Sequence, residues 1–149
     1  MDKPALRAIT LGQMLDEAIL QHPDNEAVVY VDRNFRLTYR QFGELVDNLA
    51  KGLMAMGVQR GEKVAIWATN VPYWVAFQFA TAKIGAVLLT VNTYYKRAEL
   101  EYLLKQSECE NLILIDSFRE TDYVQTVYDL VPELKTQERG YLHSAKFPD

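Results

Sequence analysis

The chain has 149 residues, a formal net charge of −4, and a composition of 49% hydrophobic and 24% charged residues. This length is sufficient for one α/β domain with a core of its own, and the composition is that of an ordinary globular protein. The negative charge and the scattered basic residues argue against a nucleic-acid surface, because phosphate binding needs clustered Lys and Arg.

The N-terminal region predicts a helix followed by a β-hairpin. Thr10 and Gln13 have the spacing of a capping box, in which each side chain bonds the backbone N–H of the other at a helix start. Residues 27–31 and 35–37 are short β-prone runs separated by a turn at residues 33–34. These two runs are predicted to pair as antiparallel strands.

The longest predicted helix follows the hairpin. Thr38 and Gln41 form a second capping box, and apolar residues then recur at steps of three and four. Gly57 and Val58 supply a left-handed cap and the hydrophobic residue behind it, as in a Schellman motif. The apolar stripe consists of Phe42, Leu45, Val46, Leu49, Leu53 and Met56.

The centre of the chain predicts a β-α-β crossover. An apolar run from Val64 is expected to be a strand covered on both faces. Asn70 is predicted as the N-cap of a helix with Pro72 in its first turn, and Gly85 as its left-handed end. Residues 86–91 are a second apolar strand, and a crossover of this length requires a parallel sheet.

The last part of the chain predicts a helix, a strand and another helix. A helix carrying three leucines precedes a third buried strand at residues 112–115. Ser117 and Glu120 are predicted as a third capping box, opening a helix that Pro132 terminates. Residues 133–149 show no periodicity and are predicted to be an irregular tail.

These elements predict an α/β fold: a layered α/β/α arrangement with a mostly parallel sheet built from βαβ units, plus an N-terminal β-hairpin. Residues 1–149 are predicted to form one incomplete subdomain. The last residues, 147–149, look like loop rather than a final strand or helix. We therefore expect the chain to be a truncated piece of a longer protein.

Few patterns in the sequence predict chemistry. The strand-to-helix turns at residues 68–70 and 92–94 lack glycine, so a free-standing dinucleotide-binding domain is not predicted. His22 and His143 have no acid or nucleophile at suggestive spacing. The single cysteine, Cys109, excludes an internal disulfide and is interpreted as a buried, inert thiol. No catalytic and no metal-binding residue is predicted.

Three aromatic residues are candidates for lining a substrate pocket. Trp74 and Phe77 belong to an aromatic set on the central helix, for which core packing and the wall of an apolar tunnel are the two interpretations. Tyr94 follows a strand end of the parallel sheet, at the edge where ligands bind in such sheets.

Several segments together resemble the AMP-forming acyl-CoA synthetases and their adenylating relatives. They are similar to that family's Thr-Tyr-x-x-Leu, G-V-x-x-G-D-x-V-A-I, N-x-P-E-[FW], K-x-G-A-v-x-v-P-x-N and E-L-x-x-x-L patterns, in the same order. Tyr73 replaces the usual acid, and Thr90 replaces a common proline. The matching segments are residues 37–42, 57–66, 70–74, 82–92 and 99–104.

The resemblance points most closely to bacterial medium- or long-chain fatty acid–CoA ligases, and to the N-terminal lobe of their large adenylating domain. Such enzymes use Mg-ATP to convert a carboxylate into an acyl-adenylate and pyrophosphate, then transfer the acyl group to CoA. Carboxylate oxygen is a poor leaving group and AMP a good one. ATP, Mg²⁺ and CoA are thus implied for the full-length enzyme.

The reactive parts of that family are missing from these residues. The sequence lacks the phosphate loop, the adenylate motif, the ribose-binding Asp, the hinge and the catalytic C-terminal Lys. The resemblance therefore implies no catalytic residue, no cofactor-binding residue and no bound cofactor in this fragment. We expect the fragment alone to be structural and to have no ligase activity.

Location and partners follow from the same considerations. The sequence has no apolar run of about 18 residues and no secretory signal, so the cytoplasm is predicted, in solution or peripherally at a membrane. The full-length enzyme is expected to bind a fatty acid, ATP and CoA but no nucleic acid, and the fragment to self-associate through its exposed apolar surface. The alternative is a non-catalytic interaction module that uses an exposed aromatic face.

Overall fold

The computed structural model describes residues 7–138 and 140–147, so Pro148 and Asp149 of the predicted terminal loop lie outside it. Short 3-10 helices occur at Val31–Arg33 and Pro132–Lys135. The main elements, in chain order, are α1 (Leu11–Gln21), β1 (Glu26–Tyr30), β2 (Phe35–Thr38), α2 (Tyr39–Ala55), β3 (Lys63–Trp67), α3 (Pro72–Ile84), β4 (Val87–Thr90), α4 (Arg97–Ser107), β5 (Asn111–Leu114), β6 (Ser117–Phe118), β7 (Thr121–Asp122) and α5 (Tyr123–Leu130).

The chain divides into two compact units. The first contains the residues up to Arg60 together with Val75–Gly85. The second contains Gly61–Trp74 and the residues from Ala86 onward. The first unit thus holds α1, the β1–β2 hairpin, α2 and most of α3, and the second holds all the other strands with α4 and α5.

Both predicted capping boxes of the first unit are present. Thr10 N–H donates to Gln13 Oε1 at 2.9 Å, and Gln13 N–H donates to Thr10 Oγ1 at 3.1 Å. Thr38 and Gln41 make the same pair of bonds at the start of α2, at 3.0 and 3.3 Å. These bonds satisfy amides that have no partner within the helix, which is why both helices begin where the sequence predicts.

α2 ends in the predicted Schellman motif. Gly57 has a φ of 98°, which a residue with a Cβ rarely adopts. Its N–H donates to Met54 O at 3.0 Å, and Val58 N–H donates to Leu53 O at 3.1 Å. The buried apolar side chains of this unit are Leu15, Phe42, Val46, Ala50, Leu53, Val58, Ala76 and Ala80. Met56, by contrast, lies exposed at the end of the predicted stripe.

The helices of the first unit are joined by a charged contact and a close approach. Lys83 Nζ on α3 donates to Asp16 Oδ1 on α1 and to Asp47 Oδ1 on α2, each at 2.7 Å. Burial by itself lowers the pKa of Lys83, but the two carboxylates outweigh it and the pKa is raised overall. A Cβ at Gly43 would lie 2.4 Å from Ile19 Cδ1, so α1 and α2 approach closely here.

The second unit is built on a parallel sheet of order β4-β3-β5. Val64 of β3 is in register with Leu88 of β4 and with Asn111 of β5. The parallel pairing of β3 with β4, joined through α3, confirms the predicted βαβ unit. With the antiparallel pairing of β1 and β2, it confirms the predicted α/β fold class.

The prediction of three buried strands is wrong for two of them. The last four residues of β3 are buried in succession, as expected for a central strand. The outer strands are only half-buried, and Val87 of β4 is 51% exposed. An outer strand has a hydrogen-bonded neighbour on one side only, and a run of apolar residues does not reveal how many neighbours a strand has.

The start of the last helix also differs from the prediction. Ser117 and Phe118 pair with Asp122 and Thr121 in a small antiparallel hairpin, β6–β7, instead of opening a helix. α5 begins at Tyr123 and is capped by Asp122, whose Oδ1 accepts from Gln125 N–H at 2.8 Å. The predicted capping box at Ser117 and Glu120 is therefore wrong, because strand pairing takes up that segment.

The core of the second unit lies around Trp67 and Tyr123, both fully buried. Their rings stack with centroids 3.6 Å apart and planes 10° apart. The buried side chains of this cluster are Ala65, Trp67, Val91, Leu100, Leu104, Tyr123, Leu130 and Val131.

Candidate functional site

A cavity of about 270 Å³ lies in the second unit, between the segments that follow β4 and β5. β4 ends at Thr90 and β5 at Leu114, so both segments leave the carboxyl edge of the parallel sheet. Ligands of open α/β sheets bind outside this edge. The cavity is lined by Thr93, Tyr94, Lys96, Phe118, Arg119, Glu120 and Thr121.

Arg119 is the central basic residue of the cavity. Its guanidinium carbon lies 5.0 Å from the Tyr94 ring centroid and 5.4 Å from that of Phe118, within the range of cation–π contacts. The two rings are themselves in edge contact, with centroids 5.7 Å apart. Within the described chain Arg119 forms no ion pair. The guanidinium is therefore held by ring contacts and not by a salt bridge to any residue that the structure describes.

The backbone of Arg119 is unusual for a residue with a side chain. Its φ of 52° lies in the left-handed region, in the two-residue turn between β6 and β7. That conformation costs a non-glycine residue roughly 1–2 kcal/mol. The turn therefore keeps an arginine where a glycine would fit with less strain.

Lys96 supplies a second positive charge. Its Nζ donates to Thr121 Oγ1 across the cavity, and it makes no ion pair with residues that the structure describes. Its backbone N–H donates to Glu99 Oε2 at 2.7 Å at the start of α4, where the helix dipole adds partial positive charge. Glu120 is the one acid in the lining, so the lining carries two cations and one anion.

The three predicted pocket residues occupy different settings. Tyr94 is 58% exposed and lines the cavity, at the sheet edge where the sequence placed it. Trp74 and Phe77 are each half-buried on α3 and do not line the cavity. α3 begins at Pro72, so Val71 occupies the N-cap position and the prediction of Asn70 as the N-cap is wrong by one residue.

Sequence reasoning missed Lys96 and Arg119. Arg119 follows the end of β5 just as Tyr94 follows the end of β4, so the criterion that selected Tyr94 would also have selected Arg119.

The single cysteine lies outside this cavity. Cys109 is half-buried, and its Sγ donates to Asn111 O at 3.1 Å. Burial raises the pKa of this thiol, which favours its protonated form. The prediction of a fully buried thiol is wrong, and its inertness stays a prediction.

Two other classes of site were sought in residues 7–138 and 140–147. No group of three or more His, Cys, Asp and Glu side chains in these ranges could hold a metal ion. None of the helices there is both long and apolar enough to cross a bilayer.

Comparison with known proteins identifies the family to which the chain is similar. A model of the family described as AMP-binding enzyme matches residues 15–146. Over 139 residues the chain is 53% identical to the Bacillus subtilis (strain 168) protein named as an acyl-CoA synthetase, YngI, covering 93% of this chain and 25% of YngI. It is 35% identical over 144 residues to the Danio rerio mitochondrial medium-chain acyl-CoA ligase ACSF2, covering 97% of this chain and 24% of ACSF2.

A solved structure agrees with these sequence relatives. The N-terminal subdomain of Klebsiella oxytoca NpsA, in complex with anthranilyl-AMSN, superposes with a TM-score of 0.67 at 28% identity, covering 72% of this chain and 27% of that one. The chain spans about a quarter of the length of the relatives it matches. With a family match over most of its residues, the chain belongs to the AMP-binding enzyme family, as its sequence motifs predict.

Proposed function

We propose that this chain is part of an ATP-dependent medium- or long-chain fatty acid–CoA ligase. The parent enzyme would form an acyl-adenylate from a fatty acid and ATP, and then transfer the acyl group to CoA. The observation that carries the proposal is the 53% identity to YngI over 93% of the chain. The name of ACSF2 as a medium-chain acyl-CoA ligase supports the substrate class.

The cavity at the sheet edge is proposed to bind an anionic part of a substrate. Both nucleotide substrates of such a ligase, ATP and CoA, carry phosphates and an adenine base. Arg119 and Lys96 carry positive charge and form no salt bridge with a described residue, Glu120 leaves the lining with one net positive charge, and Tyr94 offers an exposed ring for stacking. The residues of this segment would bind and orient a substrate, while the reacting atoms meet groups supplied elsewhere in the parent enzyme.

Mg²⁺ is implied for the parent reaction, but the residues described here do not fit a metal site. They contain no acidic or His/Cys cluster with three possible ligands. No step through the ion is therefore assigned to this segment.

The 149-residue chain by itself is proposed to be catalytically incomplete. The phosphate loop and the catalytic lysine of the resembling family are absent from its sequence. Purified chain mixed with fatty acid, ATP and CoA should release no pyrophosphate above a buffer control. Release of pyrophosphate by the chain alone would contradict this part of the proposal.

Binding at the cavity can be tested with CoA as the probe. In an NMR titration of the chain, CoA should shift the amide resonances of Tyr94 and Arg119. Arg119→Gln should weaken this binding by about tenfold, because a charge-assisted hydrogen bond contributes roughly 1.5–3 kcal/mol. Arg33→Gln is a matched control, since Arg33 lies over the Tyr30 ring at 6.0 Å outside the cavity. Equal effects of the two variants, or no binding by the wild-type chain, would rule the cavity out.

Location and association are further parts of the proposal. The parent is proposed to act in the cytoplasm, in solution or at a membrane surface, and the chain to associate with itself. Exposed apolar side chains such as Leu20 and Val31 support association, since both are more than three-quarters exposed. Sedimentation equilibrium should then show a mass that rises with concentration.

If the full reading frame carries no phosphate loop, the alternative of a non-catalytic interaction module replaces the ligase proposal.

A further inference from the structure

Two core aromatic residues reach the loop that forms one wall of the cavity. Trp67 Nε1 donates a hydrogen bond to Asn92 O at 3.1 Å. The Tyr123 hydroxyl donates to Thr93 O at 2.6 Å. Asn92 and Thr93 are the residues directly before Tyr94, so both bonds act on the backbone that carries its ring.

The donors are rigid. Trp67 lies at the end of β3 and Tyr123 at the start of α5, and both side chains are fully buried. Their stacked rings leave neither of them room to rotate without the other. The indole N–H of Trp67 and the phenol oxygen of Tyr123 are therefore held at fixed positions beside the loop.

The loop also bonds to itself. Tyr94 N–H donates to Asn92 Oδ1 at 2.9 Å, and Tyr95 N–H donates to Asn92 O at 3.1 Å. An asparagine side chain that accepts from the backbone two residues on forms an Asx-turn. With this turn and the two bonds from the core, three successive residues of the loop are held in one conformation.

We infer that Tyr123 and Trp67 are positioning residues of the cavity, which fix the backbone at Asn92 and Thr93 and so hold the Tyr94 ring against Arg119. The functional part of this inference rests on the proposed role of the cavity in binding an anionic substrate. Tyr123 and Trp67 do not themselves line the cavity, so they act through Tyr94.

The chemistry of Tyr123 suits this role better than that of a core residue alone. A phenylalanine would fill the same apolar space without the cost of burying a hydroxyl. An ordinary phenol is already protonated at neutral pH, and burial raises the pKa of Tyr123 further, so the hydroxyl is a donor there. The hydroxyl is thus explained by the bond it makes to the loop.

Tyr123→Phe in the 149-residue chain tests the inference. The variant keeps the stacked ring and removes one donor. Exchange of the Tyr94 amide hydrogen should become faster by roughly fivefold, the value of one typical hydrogen bond. The NMR cross-peaks between the Tyr94 and Phe118 rings should weaken, while the chain still unfolds in one cooperative transition. Tyr102→Phe is the control, because Tyr102 is 69% exposed on α4 and lies outside the cavity lining.

Unchanged Tyr94 exchange and unchanged ring cross-peaks in Tyr123→Phe would overturn the inference. If that variant fails to fold, the wild-type chain still decides: a slowly exchanging Tyr123 hydroxyl proton close to Thr93 is expected, and its absence would refute the bond. Trp67→Phe removes the other donor and should loosen Tyr94 in the same direction.

A CoA titration of the same variants separates this inference from the proposed function. If CoA binds the wild-type chain, Tyr123→Phe should weaken it several-fold and Tyr102→Phe should not. If CoA does not bind the wild-type chain, the cavity proposal is wrong, while the Tyr94 measurements still decide whether Tyr123 positions the loop.

Discussion

Lys83 and Arg119 show two different uses of a basic side chain. Lys83, in the first unit, donates to Asp16 and Asp47 at 2.7 Å each and joins α3 to two other helices. Arg119, in the second unit, rests on aromatic rings and has no carboxylate partner in the part of the chain that is described. A neutralised cation has little attraction left for a ligand, whereas an unpaired one beside a ring attracts anions. The partners of a charge, and not the charge itself, distinguish a structural residue from a candidate binding residue.

The largest effect is expected from Lys83→Met. The change removes two charge-assisted hydrogen bonds and leaves Asp16 and Asp47 close together without a cation. We expect the free energy of unfolding to fall by about 1–2 kcal/mol, a value reduced because both carboxylates are half-exposed. Urea unfolding measures the change. Adding Asp47→Asn to the variant should restore part of the loss, and no restoration would show that the ion pairs are not its cause.

A smaller change in the free energy of unfolding is expected when the pH is raised. The pKa of Lys83 is raised above its ordinary value of 10.5, so its stabilising contribution is complete below about pH 10.5 and is lost as the pH rises through the folded-state value. The difference in unfolding free energy between wild type and Lys83→Met should stay constant from about pH 7 to 9 and narrow above about 10.5. Urea unfolding over this series checks it, and a difference that already narrows near neutrality would argue against the pairing.

The smallest effect is expected from Arg119→Gly, which should raise the free energy of unfolding, whereas Lys83→Met lowers it. Arg119→Gly relieves the left-handed backbone at φ 52° but adds freedom to the unfolded chain. We therefore expect the free energy of unfolding to rise by about 0–1 kcal/mol, while CoA binding falls as it does in Arg119→Gln. Thermal unfolding and the CoA titration measure the two quantities. A variant that loses stability would show that the arginine side chain supports the fold.

Local signals in the sequence were the most informative. The pairs Thr10–Gln13 and Thr38–Gln41 and the Gly57 cap depend on contacts only a few residues apart, so a short window of sequence is enough to predict them. Ser117 has the same spacing to Glu120, yet it pairs across a hairpin instead. Asp122 and Gln125, the actual cap, also have this spacing. A capping pattern therefore identifies candidate helix starts, and strand pairing determines which of them is used.

The cavity could be predicted only in part. Tyr94 was identified because the end of a parallel strand is a local feature. Its contacts with Phe118 and Arg119 depend on two segments more than 20 residues apart coming together beyond the sheet. The half-burial of β4 and β5 likewise depends on which strands lie beside them. Such information is absent from any short window of sequence.

The stack of Trp67 on Tyr123 also provides a built-in optical reporter. Indole emission changes in colour and intensity when the ring loses a hydrogen-bonded carbonyl or gains water. The chain has two tryptophans, so Trp74→Phe would leave Trp67, in contact with the Asn92 carbonyl, as the single tryptophan, whose emission is selected from that of the tyrosines by excitation at its longer-wavelength absorption edge. Its fluorescence could then follow the opening of this loop in real time, without an added dye.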